Sequence, residues 1–214
     1  MAAVRSIHAA SLDVEGCYRL LSGIVVPRPI AWISTQSATG VVNLAPFSCY
    51  TFVCSKPPMI GINIGQRNGK RKDTSRNMIE QGEFVVNIGD ETMVEAIHSS
   101  ADEHGPDISE AALLGLELVK SELIATPRLA AVPISMECRF HSVQEFGDTR
   151  AEFMVGEVVV FHVQEQLYMG GKVDSVKLRP LARLGGPLYA KLGELLTMAP
   201  ITRTPQSVAM EKNS

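Results

Sequence analysis

The stretch that most limits what this chain can fold into is AVPISMECRFH, residues 131–141. Val132, Ile134, Met136, Cys138 and Phe140 fall on one side of an extended chain. Ser135, Glu137, Arg139 and His141 fall on the other, and a period of two marks a half-buried antiparallel strand. EFGDT (145–149) has the composition of a hairpin turn, and RAEFMVGEVVVFHVQ (150–164) returns as a long, mostly apolar strand. Glu157 shares the otherwise apolar face of Phe153, Val155, Val159 and Phe161. A structural role is expected for it, paired with a buried Arg at an interface or turned outward by a bulge at Gly156. His162 lies on the opposite face and reads as a solvated strand end.

A long hairpin needs neighbours to bury its apolar side, and the sequence supplies them. GIVVPRPIAWIST (23–35) reads as two short strands around Pro27 and Pro29, and GVVNLAPFSCYTFV (40–53) as a pair broken at Pro46. PPMIGINIG (57–65) and GEFVVNIG (82–89) are compact strands bounded by Gly and Pro. Trp32, inside an apolar strand, reads as core rather than as a stacking platform. Helices are expected at 74–82, stopping at Gly82, at 91–104 with Met93, Val94, Ile97 and Ala101 facing the core, at 107–115 and at 186–196. Many short strands with a few intervening helices indicate a mainly β barrel with helical insertions, built as one domain over residues 1–199 with a flexible polar tail at 200–214. Gly61, Gly65 and Gly69 recur every four residues and fit neither dinucleotide-binding nor P-loop spacing.

Several function classes drop out. The net charge of −3 and a single short basic cluster without interleaved aromatics argue against nucleic acid. No apolar run is long enough for a membrane helix and no signal peptide is visible, so a cytoplasmic location is expected. Cys17, Cys49, Cys54 and Cys138 form no C-x-x-C pair and read as free thiols, and the five histidines show no metal-ligand spacing.

The basic cluster is GQRNGKRKDTSRN (65–77), which holds five of the twenty Lys and Arg residues. A phosphomonoester carries nearly two negative charges and needs cations plus several N–H or O–H donors around it. Arg67, Lys70, Arg71 and Lys72 offer cations; Thr74 and Ser75 offer hydroxyls and the free N–H groups of a helix start. Asp73 suits capping that helix or orienting Lys72 rather than touching an anion. Arg28 is undecided between a salt bridge and the phosphate.

RPIAWIST (28–35), GVVNLAPFSCY (40–50), KPPMIGINI (56–64), KDTSRN (72–77) and EFVVNI (83–88) resemble, in order and approximate spacing, the flavin reductase-like, FMN-binding split-barrel family, in particular its flavoredoxin-type branch. VGEVV (155–159) and RLGGPLY (183–189) extend the likeness. The resemblance implies a homodimer of six-stranded antiparallel Greek-key barrels with one FMN per subunit near the interface. Residue by residue it implies that Lys72, Asp73 and Thr74 hold the phosphate and its surroundings, where Arg67 is a further candidate by its charge, and that Ser34 and Thr35 stand beside the ribityl and phosphate groups. It implies that Asn43, Leu44, Ala45, Pro46, Phe47 and Ser48 line the isoalloxazine, with Ile62, Asn63 and Ile64 on the neighbouring strand. Arg183 and Tyr189 are further candidates near the flavin. Asn43 and Ser48 bring donors for the ring, and Pro46, having no N–H, is expected to turn the chain out of the sheet.

With the flavin as reactive group no catalytic side chain is required, in keeping with the absence of a triad or carboxylate pair. Two activities share every motif: an NAD(P)H-dependent flavin reductase moving hydride from NADH or NADPH to flavin N5, and an FMN electron carrier fed by a protein partner. The first has a nicotinamide nucleotide as substrate and an oxygenase as the expected recipient; the second has an electron-carrier protein as partner.

Overall fold

The computed structural model describes residues 2–199; the segment 200–214, expected as a flexible tail, lies outside the described residues. Seven antiparallel strands form the main sheet: β1 (Ala31–Gln36), β2 (Val42–Phe47), β3 (Tyr50–Ser55), β4 (Pro58–Ile64), β5 (Glu83–Ile88), β6 (Ile134–Phe146) and β7 (Ala151–Val163). Their spatial order is β2-β1-β5-β6-β7-β4-β3. The two edge strands, β2 and β3, are consecutive in the chain and joined only by Ser48 and Cys49. Two residues cannot span the width of an open seven-stranded sheet, so the sheet has to curl until its edges meet. The Asn63 N–H donates to the Cys49 carbonyl at 2.8 Å and ties that junction to β4. The expected mainly β barrel with helical insertions is the fold; it has seven hydrogen-bonded strands rather than six because residues 42–55 are cut into two.

The barrel interior follows the strand period. Ala31 and Ile33 of β1, Phe47 of β2, Ile60, Ile62 and Ile64 of β4, Phe84 and Val86 of β5, Cys138 of β6, and Met154 and Val158 of β7 form one buried cluster. Gly156 leaves room for the Phe84 ring, whose Cζ lies 2.4 Å from where a Cβ would stand. The barrel end is closed by α2 (Asp73–Gln81), which sends Met78 into this cluster and stops at Gly82, φ +72°. The stop is where the sequence places it.

A second apolar layer lies outside β1 and β2. Ile30, Trp32 and Leu44 pack there with Ile97 of α3 (Val94–Ser99), Ala111 of α4 (Glu110–Leu113), Leu129, Val132 and Leu181. Trp32 is therefore core, as expected, and its Nε1–H donates to Ser100 Oγ at 2.8 Å. The helix expected over 91–104 is shorter: a 3-10 turn (Glu91–Met93) leads into α3, which ends at Ser99. The helix expected over 107–115 contracts to α4, with Ser109 as its N-cap residue.

Four expectations are corrected. Residues 186–196 form no helix: Tyr189–Ala190 pairs with Ala182–Arg183, which pairs with Arg28–Pro29 in a small three-stranded sheet. The cause is the Gly185–Gly186 turn, Gly186 having φ +61°, which folds the chain back on itself. Pro46 does not break its strand; it sits inside β2 opposite Trp32. The Leu44 N–H points away from β1 to the Glu110 carboxylate, and by alternation the Pro46 nitrogen faces the same open edge, where no ladder bond is lost. Glu157 shares the face of Phe153 and Val155 as expected, but that face is the outer one. Plain alternation leaves Glu152, Met154, Gly156 and Val158 buried and Glu157 half-buried outside, without an ion pair among the described residues, and the extra residue at the shift beside Gly156 lies on β6. His162 is no free strand end: its Nε2 meets Glu137 Oε1 at 2.6 Å.

The strand at 131–141 starts at Ile134, and the first half of its polar side is buried as well, with Ser135 and Glu137 fully covered while Arg139 and His141 stay exposed. The cover is the 121–126 loop. Glu137 accepts the N–H groups of Glu122 and Leu123 at 2.6 and 2.8 Å, and Glu83 accepts the Thr126 N–H at 2.7 Å. The strand expected from residue 23 also starts later. Residues 14–24 form α1 (Val14–Ile24), capped by Asp13, whose carboxylate accepts the Gly16 N–H at 2.7 Å.

Candidate functional site

A cleft of about 560 Å³ opens where the edge strand β2 meets the basic loop. One wall is Asn43, Ala45, Pro46 and Phe47 from β2. The second runs from Arg67 through Lys70, Arg71 and Lys72 to Asp73, Thr74 and Arg76 at the start of α2. The third is the loop after α3, Ser100 to His104, with Pro106 and Glu110.

The cations of the second wall are not equivalent. Arg67 pairs with Glu103 at 2.9 Å, Arg71 with Glu152 at 2.6 Å and Arg76 with Asp73 at 2.6 Å. Asp73 thus serves Arg76 rather than capping α2 or orienting Lys72; the N-cap position is Lys72 itself. Lys72 has no carboxylate partner among the described residues, and its ammonium lies 5.6 Å from the centre of the Phe47 ring. Burial lowers its pKa, the Arg67 charge lowers it further, and Glu103 pulls the other way. A half-buried ammonium with no carboxylate in contact costs stability unless an anion joins it.

The first turn of α2 adds donors. Its opening N–H groups have no partner within the helix, and the positive end of the helix dipole points the same way. Thr74 lines the cleft on this turn, whereas Ser75, fully buried and outside the cleft lining, has a hydroxyl without a hydrogen-bond partner among the described residues. Behind the turn, side chains lock the walls together. Asn43 Nδ2 donates to Thr74 Oγ1 at 3.0 Å, while Asn77 Nδ2 donates to Thr35 Oγ1 at 3.2 Å.

The sixteen residues singled out by sequence divide accordingly. Asn43, Ala45, Pro46, Phe47, Arg67, Lys72, Asp73 and Thr74 line the cleft. Thr35 stands one layer behind, and Ser34 is buried, its hydroxyl donating to the Pro127 carbonyl at 2.7 Å. Leu44, Ile62 and Ile64 are core, whereas Asn63 is exposed. Ser48 accepts from Arg28 Nε at 3.2 Å. Tyr189 lies outside the cleft lining, its hydroxyl 3.0 Å from His98 Nδ1 and its ring 4.5 Å beneath the Arg183 guanidinium. Arg28 is structural: buried, it donates to the carbonyls of Ser22, Val25 and Leu184, joining α1 to the barrel.

Sequence reasoning missed the third wall. Its only local sign was an acidic, His-containing run ending in Gly-Pro, SADEHGP (100–106). Trp32, through Ser100, fixes the start of that wall, and Glu110 Oε2, accepting the Leu44 N–H at 2.8 Å, fixes its end against β2.

The flavin reductase like domain matches residues 22–177, spanning all seven strands and every wall of this cleft. The chain belongs to the flavin reductase-like family. An uncharacterised protein of Halalkalibacterium halodurans is 43% identical to this family member over 197 residues, 90% of this chain and 94% of that one. Nitrilotriacetate monooxygenase component B from Bacillus cereus superposes with a TM-score of 0.89 at 39% identity, covering 92% of this chain and all of that one. The 2-nitrobenzoate 2-nitroreductase NbaA of Pseudomonas fluorescens gives 0.80 at 31% identity, covering 94% and 98%. Flavin reductase-like proteins of this kind are split-barrel oxidoreductases.

Proposed function

We propose that this protein binds FMN and acts as an NAD(P)H-dependent flavin reductase, handing reduced flavin or its electrons to an oxygenase. The observation that carries the reading is Lys72, a half-buried ammonium without a carboxylate, set at the N-terminus of α2 next to the cleft-lining Thr74. That donor set has the chemistry a phosphomonoester needs. The cleft volume lies within the range usual for small-molecule sites.

In this reading Lys72 and the first N–H groups of α2 hold the phosphate. Asn43, Ala45, Pro46 and Phe47 form the bed for the ring, apolar on one side and with the Asn43 amide on the other. Glu110 keeps β2 from shifting, and the 100–106 loop limits water from the opposite side. The flavin, when bound, supplies the hydride-accepting and electron-carrying chemistry. The partnership with an oxygenase is supported by the 39% identical monooxygenase component B.

We also propose a homodimer. The helix α1 exposes Val14, Tyr18, Leu21 and Ile24 along one stripe, and β3 exposes Phe52 and Val53. Arg28 ties the end of α1 to Ser48, next to β3. A stripe of four large apolar side chains, extended by an unpaired edge strand, needs permanent cover, which a second copy of the same chain always provides.

Anaerobic stopped-flow mixing of the FMN-loaded protein with NADH and with NADPH tests the reading. Bleaching of the flavin band by at least one nicotinamide is expected. Absence of bleaching with both ends the reductase reading and leaves an electron carrier reduced by a protein donor.

A further inference from the structure

Glu152 is fully buried at the start of β7, on the inner face of the barrel, with its Cα opposite Ile64, the last residue of β4. The basic loop begins at the next residue, so Glu152 lies at the loop's root. One carboxylate oxygen accepts from Arg71 Nε at 2.6 Å; the other, also buried, has no hydrogen-bond partner among the described residues. A buried carboxylate with a single cation is costly to maintain, and nothing in the barrel core requires it.

The atom that Glu152 engages is informative. A guanidinium presents Nε and the two Nη groups along different edges, and the Nη pair is its fork for a phosphate or carboxylate. With Nε turned inward to Glu152, the Nη edge is directed away from the barrel. Arg71 lines the cleft, its side chain is about half exposed, and its Nη groups make no hydrogen bond among the described residues. Arg67 and Arg76, by contrast, meet carboxylates through their Nη groups. Arg71 is the arginine of this wall whose fork stays open.

We propose that Glu152 is a positioning residue that aims the Arg71 fork at the phosphate of the flavin, an inference that rests on the FMN reading above. Glu152 never meets the ligand. It removes the freedom that a four-torsion side chain would otherwise lose on binding, and its negative charge fixes which edge of the guanidinium faces inward.

The test is a double-mutant cycle on Glu152→Gln and Arg71→Met, with FMN and riboflavin affinities measured by fluorescence quenching and thermal melting as a control on folding. Each single variant is expected to weaken FMN binding by about tenfold or more, the range for a charge-assisted hydrogen bond, with riboflavin changed less than about twofold. The double variant is expected to be no weaker than Arg71→Met alone, because Glu152 acts through Arg71. Unchanged FMN affinity in Glu152→Gln, equal losses for both flavins, or additive losses in the double variant would overturn the proposal. Arg71→Met sits on the exposed loop and reports on the fork even if Glu152→Gln unfolds; unchanged FMN affinity there also overturns it. If the unmodified protein binds riboflavin as tightly as FMN, the phosphate grip itself is wrong, and that outcome is read before any variant is made.

Discussion

Lys72 holds its ammonium 5.6 Å from the centre of the Phe47 ring, so the cation of the basic loop and an apolar residue of β2 share one corner of the cleft. This corner combines what the two ends of a flavin mononucleotide require, a positive charge and an apolar surface. Replacing Lys72 with Ala is expected to weaken FMN binding by about 1.5–3 kcal/mol, the range for a hydrogen bond to a charged group, and riboflavin binding far less. Titration of both flavins checks this, and equal losses would remove the phosphate from the site.

The same lysine sets a pH dependence. Burial, then the Arg67 charge, depress its pKa below the ordinary lysine value. The charged form that grips an anion is therefore complete below that lowered pKa and is lost as pH rises through it, earlier than for an exposed lysine. FMN affinity is expected to fall on the alkaline side while riboflavin affinity stays level. Lys72→Arg should hold FMN affinity across the same interval, since a guanidinium keeps its charge. A parallel fall in Lys72→Arg would assign the titration elsewhere.

Glu137 predicts a stability effect remote from the cleft. Burial pushes its pKa up, but the Glu122 N–H, His162 and the Leu123 N–H together outweigh that and hold it below the usual carboxylate range. A depressed carboxylate contributes stability above its unfolded pKa and loses it as pH falls through the folded value. Glu137→Gln is expected to cost about 1–3 kcal/mol at neutral pH, the penalty for disrupting a buried hydrogen-bonded group. The gap to the unmodified protein should close on acidification. Urea unfolding at several pH values measures it, and a gap that widens toward acid would reverse the assignment.

Gly156 is expected to be intolerant of even one methyl group. A Cβ there would sit 2.4 Å from Phe84 Cζ and 3.3 Å from the Arg139 carbonyl, and the ring has little room to retreat in a packed barrel. Gly156→Ala should cost about 1–3 kcal/mol through overpacking, seen as a lower melting temperature. An unchanged melt would mean that Phe84 has another place to go.

The stripe on α1 makes the dimer testable. Tyr18→Asp with Leu21→Asp alters two exposed side chains and leaves the buried apolar clusters untouched. Light scattering is expected to give a dimer for the unmodified chain and a monomer for the variant. A monomeric unmodified chain would discard the dimer; a dimeric variant would move the interface away from α1.

How far the sequence carried depended on how local the cause was. The helix at Asp73–Gln81 was legible because its stop, Gly82, and its polar start are written in adjacent letters. The β6–β7 hairpin was legible from its period of two. The basic loop reads as an anion site because four cations stand within six residues, yet which of them are paired was decided by Glu103 and Glu152, one across the cleft and one in the barrel wall. The helix α1 was overlooked because its last apolar residues run into the β-rich GIVVP, where helix and strand patterns coincide. Residues 186–196 carry a helical spacing of leucines, but Leu188, Leu192, Leu195 and Leu196 are all exposed, and a short helix without a surface to pack on gains little. The third wall of the cleft, 100–106, reaches the site through Trp32 and Glu110, and no pattern within the loop encodes those contacts.

An uncovered sheet margin in a crowded cell invites stray chains to add themselves by strand pairing, and such accretion is how many β proteins aggregate. On β2 two neighbouring outward positions offer an intruder no donor: the Leu44 N–H is already held by Glu110, and Pro46 has none to give. The barrel can keep a ligand-sized opening along this seam without leaving a template on which another polypeptide could polymerise.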